Sequence, residues 1–542
     1  MADAMLQLKI AAPPRALSAS GPACSSQTAL YSRLARLLNQ NQKSPVEAFH
    51  NATRRLSWER RSQKSNGGDG IHKYIHNLIT TVWRTEFLPQ EWNEAVVVPL
   101  HKKGDKLECN NYRGISLLNT TYKILSKIIL NRLKEYENEI IGEHQAGFVK
   151  KRSTTDQIYA FKEIIAKCWE YNKEVHALFI DFKKAYDCIN RDYIWKTMRE
   201  FGIPLKLIEL CKICVKNSKA KVRIEDEYTE VFHVNTGVRQ GDGISPLLFN
   251  IVLEKALKKT SQMDKGINIG TVINLLAFAD DIVLIAEKKE DLVSLAETLL
   301  NEAKKVGLNV STEKTKYMKI GGTTQTTENI QVRDHQFNSC KEVKYLGVTI
   351  NDTMTEQVEI ENRLAAANRC FWSVNKLMSC RILSRTTKLR IYKTIIQPIL
   401  LYGSEVWTLS KTSEKKLVTF ENKILRKIYG PVCENGIWRI RKNKEIRDLF
   451  NEPDIVAKIR HRRMRWTGHV LRRNDESLIK NVWKAEVTGT RRRGRPKLRW
   501  KDQIRKDMEK VNITEDVAQD RTIWRQRIGE AKSLLGFKWP WE

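Results

Sequence analysis

The sequence predicts a mixed α/β (α+β) protein, and three observations carry that prediction. Apolar runs of strand length recur, at residues 95–98, 177–180, 275–278 and 282–285. Between them lie stretches with apolar residues three and four apart, the mark of helices that bury one face. At 542 residues the chain exceeds what one core holds, so roughly three or four subdomains are expected.

Taken in order, residues 1–66 are rich in Ala, Pro and Ser around Ala11 to Ser26, lack periodicity and read as disordered. They hold no apolar stretch long enough for a secretory signal, and a transit peptide stays open as a weak reading, since Asp3 interrupts an otherwise acid-poor start. From Asn66 the chain becomes organised: Ile75, Leu78, Ile79, Val82 and Trp83 recur at helical spacing, and residues 95–100 read as a strand running into Lys102 and Lys103. A long amphipathic helix is expected over 121–133. Another over 192–201 stops at Gly202, and Pro204 opens the next. On that next helix Leu207, Cys211 and Cys214 share a face. With no second pair or adjacent His at ligand spacing, these cysteines read as buried thiols and not as a zinc site. Ser245 reads as a helix cap with Pro246 as first helical residue, and 291–305 as a helix ending before Gly307. Residues 355–430 are helical in pattern, the last helix starting near Thr412 or Ser413 and ending at Gly430.

The chemistry concentrates at Asp280 and Asp281, set between two strand-length apolar runs as the turn of a hairpin. Asp is a common turn residue, so the pair alone is also compatible with a plain turn. A third carboxylate, Asp181, ends another apolar run. Carboxylates at the ends of neighbouring strands can clamp two metal ions about 4 Å apart, and Mg²⁺ suits such oxygen ligands.

Asp181-Phe182-Lys183-Lys184-Ala185-Tyr186-Asp187, Arg239-Gln240-Gly241-Asp242-Gly243-Ile244-Ser245-Pro246 and Phe278-Ala279-Asp280-Asp281 resemble, in order, the motifs of reverse transcriptases, especially those of non-LTR (LINE-type) retrotransposons. The resemblance covers residues 67–350 well. It implies a right-hand polymerase with fingers and an antiparallel palm over 67–350, a helical thumb over 351–430 and a basic tail over 431–542. It implies RNA-directed DNA synthesis by two-metal nucleotidyl transfer, with an RNA template, a DNA primer or target, deoxynucleoside triphosphates, and two Mg²⁺ ions for which Mn²⁺ can substitute. Asp181, Asp280 and Asp281 would be the ligands, joined by the Phe182 carbonyl. Lys102 or Lys103 and Arg113 would grip the triphosphate, and Gln240 would lie against the base pair. Tyr186 would exclude a 2′-hydroxyl, or else be a core tyrosine. Lys314, in the stretch 309–315, matches a lysine that protonates pyrophosphate, or else is an exposed lysine. The stretches 143–148 and 152–157 also match the family and are expected along the template path; 343–348 matches a hairpin that holds the primer. An endonuclease domain, usual upstream in the family, is expected to be absent. The rival reading is a catalytically silent, retrotransposon-derived nucleic-acid-binding protein.

Charge agrees with a polyanionic partner. The formal net charge is +32, and no stretch approaches the apolar length that spans a bilayer, so nucleic acid is expected and a membrane is not. The tail interleaves arginine with tryptophan, as in His461 to Trp466 and Arg491 to Trp500, a pattern that suits phosphate contact plus base stacking. Trp466 and Trp500 are the expected stacking rings. Arg493 and Arg495, flanking Gly494, resemble the core of an AT-hook or else belong to a solvated basic linker. Scattered cysteines point to a reducing compartment, nuclear or cytoplasmic.

Overall fold

Residues 68–530, apart from 103, 323–327, 488, 492, 493, 495 and 496, are described in a computed structural model. The expectations for residues 1–66 and for Lys103, Arg493 and Arg495 therefore lie outside the described residues. The chain divides into two compact units, each assembled from separate segments.

The first unit comprises, among the described residues, 68–142, 182–259 and 298–310. Its sheet runs in the order Tyr112–Leu117, Glu94–His101, Lys219–Ile224, Glu227–Tyr228, with Phe232–His233 also paired to Lys219–Ile224. The first pair is antiparallel and the second parallel. Val97, Ala220 and Val222 form a small core between its strands. The helix expected over 121–133 spans Thr120–Ile140, started by Asn119, whose side chain accepts the Thr121 amide at 2.8 Å. It buries Tyr122, Leu125, Ile129 and Leu133. It continues past Leu133 because Lys134, Glu135 and Glu137 are good helix formers even where little apolar surface remains to bury. Cys211 and Cys214 are fully buried on the helix Leu205–Val215, and burial pushes both thiols up, so they are inert core residues.

The second unit comprises 143–181, 260–297 and 311–530 of the described residues. Its six-stranded sheet has the order Ile330–Val332, His335–Ser339, Lys316–Ile320, Val175–Ile180, Asp281–Ala286, Leu275–Phe278. All pairs are antiparallel except Lys316–Ile320 with His335–Ser339. Val175–Ile180 sits centrally and all six of its residues are buried, which is why it reads as an unbroken apolar run without alternation. The helix Thr154–Glu170 opens on a capping box between Ser153 and Asp156 and packs Phe161 against Phe179 of that strand, ring centres 5.4 Å apart. Beyond residue 355 the unit is mainly helical. Its helix Lys411–Tyr429 starts earlier than expected: Ser410, not Thr412 or Ser413, is the cap, its hydroxyl accepting the Ser413 amide at 3.1 Å. Gly430 ends it as predicted. Among the described residues no helix is long and apolar enough to cross a membrane.

Candidate active site

Asp181 follows the last residue of the central strand, Asp280 lies in the two-residue turn after Leu275–Phe278, and Asp281 opens the strand Asp281–Ala286. The two strands pair antiparallel with Ile282 opposite Ile180, so one further step of the register sets Asp281 opposite Asp181. Asp281 keeps one side in solvent. Even so, burial of its carboxyl first, and the negative fields of Asp280 and Asp181 second, push its pKa up to about 6. The stretch 309–315 folds over the same corner: the Asp181 carbonyl accepts the Ser311 amide at 2.8 Å, and Thr315 Oγ1 accepts the Asp181 amide at 3.2 Å. Lys314 Nζ is thereby placed 3.6 Å from Asp181 Oδ1, with most of its side chain exposed.

Among the described residues no three His, Cys, Asp or Glu side chains already converge as a finished metal cage. The carboxylates of Asp280 and Asp181 add to burial in raising the pKa of Asp281, so a cation placed among the three would relieve like-charge repulsion. The donors are all carboxylate oxygens, which suits a hard divalent cation.

What holds the Asp280 turn was not legible from the sequence. The turn needs Ala279 in the left-handed region (φ 54°), a strained choice for a residue with a Cβ. Gln145 supports it: this buried side chain accepts the Ala279 amide at 2.8 Å and the Gly147 amide at 2.7 Å through the same Oε1. Ala146 donates to Ala277 O at 2.9 Å and Ala277 donates to His144 O at 2.8 Å, so residues 144–147 run along the strand as an extra edge. A Cβ on Gly147 would stand 2.2 Å from the Ala279 nitrogen, so only glycine fits. In the structure, then, 144–147 braces the turn that carries Asp280.

The remaining expected residues belong to the first unit. Tyr186 is half-buried, its ring stacked on Phe249 with centres 4.5 Å apart and planes 3° from parallel. Phe182 is buried and pairs through its backbone with Val310. Gln240 Nε2 lies 3.5 Å from Asp187 Oδ1, and its carbonyl accepts the Ser116 amide at 2.8 Å, tying the glycine loop to the strand that carries Arg113. Burial raises the Asp187 pKa, against the opposing pull of Lys184, Gln240 and Lys102. Lys102, just past the end of Glu94–His101, thus shares a field with Asp187, and Arg113 is exposed on the neighbouring strand opposite Leu100. The other polar residues of the loop are anchors. Arg239 is buried and donates to Asn93 O at 2.8 Å and Ser218 Oγ at 3.0 Å, while Asp242 accepts from the hydroxyls of Tyr122 and Ser126.

The tail expectation requires correction. Trp466 and Trp500 are 8% and 4% exposed and form one aromatic cluster with Tyr159 and Trp483, centres 4.6 to 5.9 Å apart. Trp466 Nε1 donates to Asp156 Oδ1 at 3.1 Å and Trp500 Nε1 to Glu405 O at 2.9 Å. Both rings, with both indole N–H groups satisfied, are core, and no face is left for a base. Arg463, on the helix that carries Trp466, is buried as well, paired to Asp507 and bonded to Gln503 and Trp407 O.

Residues 100–350 match the family described as reverse transcriptase (RNA-dependent DNA polymerase). The chain is 24% identical over 375 residues to a probable RNA-directed DNA polymerase from transposon BS of Drosophila melanogaster, covering 66% of this chain and 40% of that protein. It is 25% identical to a probable RNA-directed DNA polymerase from transposon X-element (69% and 41%) and 23% identical to the RNA-directed DNA polymerase from mobile element jockey (82% and 49%), both of the same fly. The chain therefore spans half or less of the length of these relatives. With the carboxylate corner at the end of its central sheet, residues 100–350 are a reverse transcriptase domain of the non-LTR, LINE-type retrotransposon kind.

Proposed function

We propose that the chain is an RNA-directed DNA polymerase that extends a primer 3′-hydroxyl on an RNA template with deoxynucleoside triphosphates. The observation that carries the reading is the corner itself: three carboxylates at the ends of adjacent strands, one of them pushed up to about 6 by burial and by the negative charge of the other two. Asp181, Asp280 and Asp281 supply the ligands for divalent ions, Mg²⁺ or in its place Mn²⁺, with the Phe182 carbonyl as a further oxygen. When bound, the two ions would activate the attacking hydroxyl and take up charge on the departing pyrophosphate. Lys314, beside Asp181, is the proton donor to that leaving group. Arg113 and Lys102 neutralise the triphosphate. The Tyr186 ring, fixed by its stack on Phe249, selects against a 2′-hydroxyl, and Gln240, held through its backbone to Ser116, bears on the base pair.

Primer extension on an RNA template with Mg²⁺ tests this, comparing deoxynucleotides with ribonucleotides and wild type with Asp280→Asn. DNA synthesis that falls about 100-fold or more in the variant supports the reading, since the contribution of a bound ion to such a transition state is several kcal/mol. Wild type that binds RNA but extends no primer would overturn it in favour of a silent binding protein.

A further inference from the structure

With Trp466 and Trp500 buried, the exposed aromatic surface of the region lies elsewhere. Among the described residues only Trp372 and Trp438 are exposed tryptophans, and Trp372 is covered by the Lys423 ammonium 5.6 Å from its ring. Trp438 is bare. It sits on a hairpin of two three-residue strands, Val432–Glu434 and Ile437–Arg439, joined by Asn435 and Gly436, both at positive φ as a tight primed turn requires. Ile437, Trp438 and Ile440 are 72%, 69% and 76% exposed. Strand alternation and the register, Cys433 opposite Trp438, put Cys433, Trp438 and Ile440 on one face.

A hairpin this short is unstable alone. Here the opposite face is locked: Arg439 holds Glu434 through Nε at 2.7 Å and Glu445, on the next helix, through Nη1 at 3.0 Å. The apolar face is therefore rigid and uncovered. Around it the chain is strongly basic: residues 426–447 carry Arg426, Lys427, Arg439, Arg441, Lys442, Lys444 and Arg447 against Glu434 and Glu445 alone. Lys427, Lys442 and Lys444 are exposed, and none is ion-paired among the described residues.

We propose that this hairpin is a nucleic-acid contact, its Trp438 and Ile440 face wedged against the double-stranded part of a primed template while Lys427, Lys442 and Lys444 hold the phosphates. The charge excludes an acid-poor or basic partner surface, and a rigid apolar blade rimmed by cations is what unstacks or seats against base pairs. The inference rests on the polymerase reading for its choice of an RNA–DNA hybrid.

The test is binding of the full chain to a fluorescent RNA–DNA hybrid of about two helical turns, by anisotropy across a salt series. Trp438→Ala is expected to weaken binding about 5- to 150-fold with an unchanged salt slope, and Trp438→Phe to restore most of it. Replacing Lys427, Lys442 and Lys444 by Gln is expected to lower the slope by about 2 to 3. Trp438→Ala within twofold of wild type, with an unaltered thermal midpoint, would overturn the proposal. So would a change in sedimentation without a change in binding, which would make the patch a contact between copies of the chain. Hybrid binding lost in Trp438→Ala supports the inference even where wild type extends no primer; extension by wild type with Trp438→Ala indistinguishable from it defeats the inference alone.

Discussion

Replacing Trp500 by alanine separates a core tryptophan from a base-stacking one. Trp500 is 4% exposed, meets Tyr159, Trp466 and Trp483 edge-on, and gives its indole N–H to the Glu405 carbonyl. Truncating a buried Trp costs about 3–5 kcal/mol, a range that already includes the lost aromatic contacts. A buried carbonyl left without its donor adds about 1 kcal/mol. The expected loss is therefore about 4–6 kcal/mol. Urea denaturation followed by near-ultraviolet circular dichroism measures it. Hybrid binding at low denaturant, where the variant is still folded, should stay close to wild type. A stacking residue would show the reverse, stability within about 0.5 kcal/mol and weakened binding. A loss below about 1 kcal/mol would refute the packing argument for this region.

Three further outcomes follow from the site and its supports. Asp281, raised to about 6, must lose its proton to act as a ligand, so Mg²⁺ affinity should be flat above pH 7 and fall about tenfold per unit below about pH 6; calorimetric titration that stays flat to pH 5 would exclude Asp281 as the titrating ligand. In the metal-free chain the sign is that of a raised acid: Asp281 contributes nothing below its unfolded value near 4 and destabilises as pH rises towards 6. Gly147→Ala places a methyl on the Ala279 nitrogen, so extension should fall about tenfold or more while hybrid affinity, read by anisotropy, holds within about threefold; equal losses of both would mean general unfolding. Asp507→Ala leaves Arg463 charged and buried, with an expected cost of about 3–5 kcal/mol in urea, whereas replacing both partners by apolar residues should recover most of it.

The sequence was most legible where structure is local. Strand-length apolar runs place Asp181, Asp280 and Asp281, and caps such as Asn119 or Gly430 lie beside the helices they bound. It was least legible where a side chain's role depends on distant partners. Gln145 lies 134 residues from Ala279, and nothing near Gln145 announces that contact. The tail misled for a physical reason. In the helix Ile455–Leu471 the residues Ile455, Ile459, Arg463, Trp466 and Val470 recur at helical spacing and are all buried. Arginine at one position of that stripe disguised an inward face as a basic one, and its partner Asp507 stands 44 residues away. That periodicity was the available signal.

The helix Thr154–Glu170 serves two clients. One side presses Phe161 onto the central strand; elsewhere Tyr159 enters the tryptophan cluster, and Lys167 donates to the carbonyls of Val482 and Ala485 at 2.5 and 2.7 Å. The match to the reverse transcriptase family ends at residue 350, but the packing does not stop there. A chain cut at that border would bare the apolar flank of the helix that backs the Asp181 strand. Conversely, a cavity opened among the C-terminal helices would loosen the platform on which Asp181, Asp280 and Asp281 are spaced. The border of the matched domain and the border of the folding unit are two different lines along this chain.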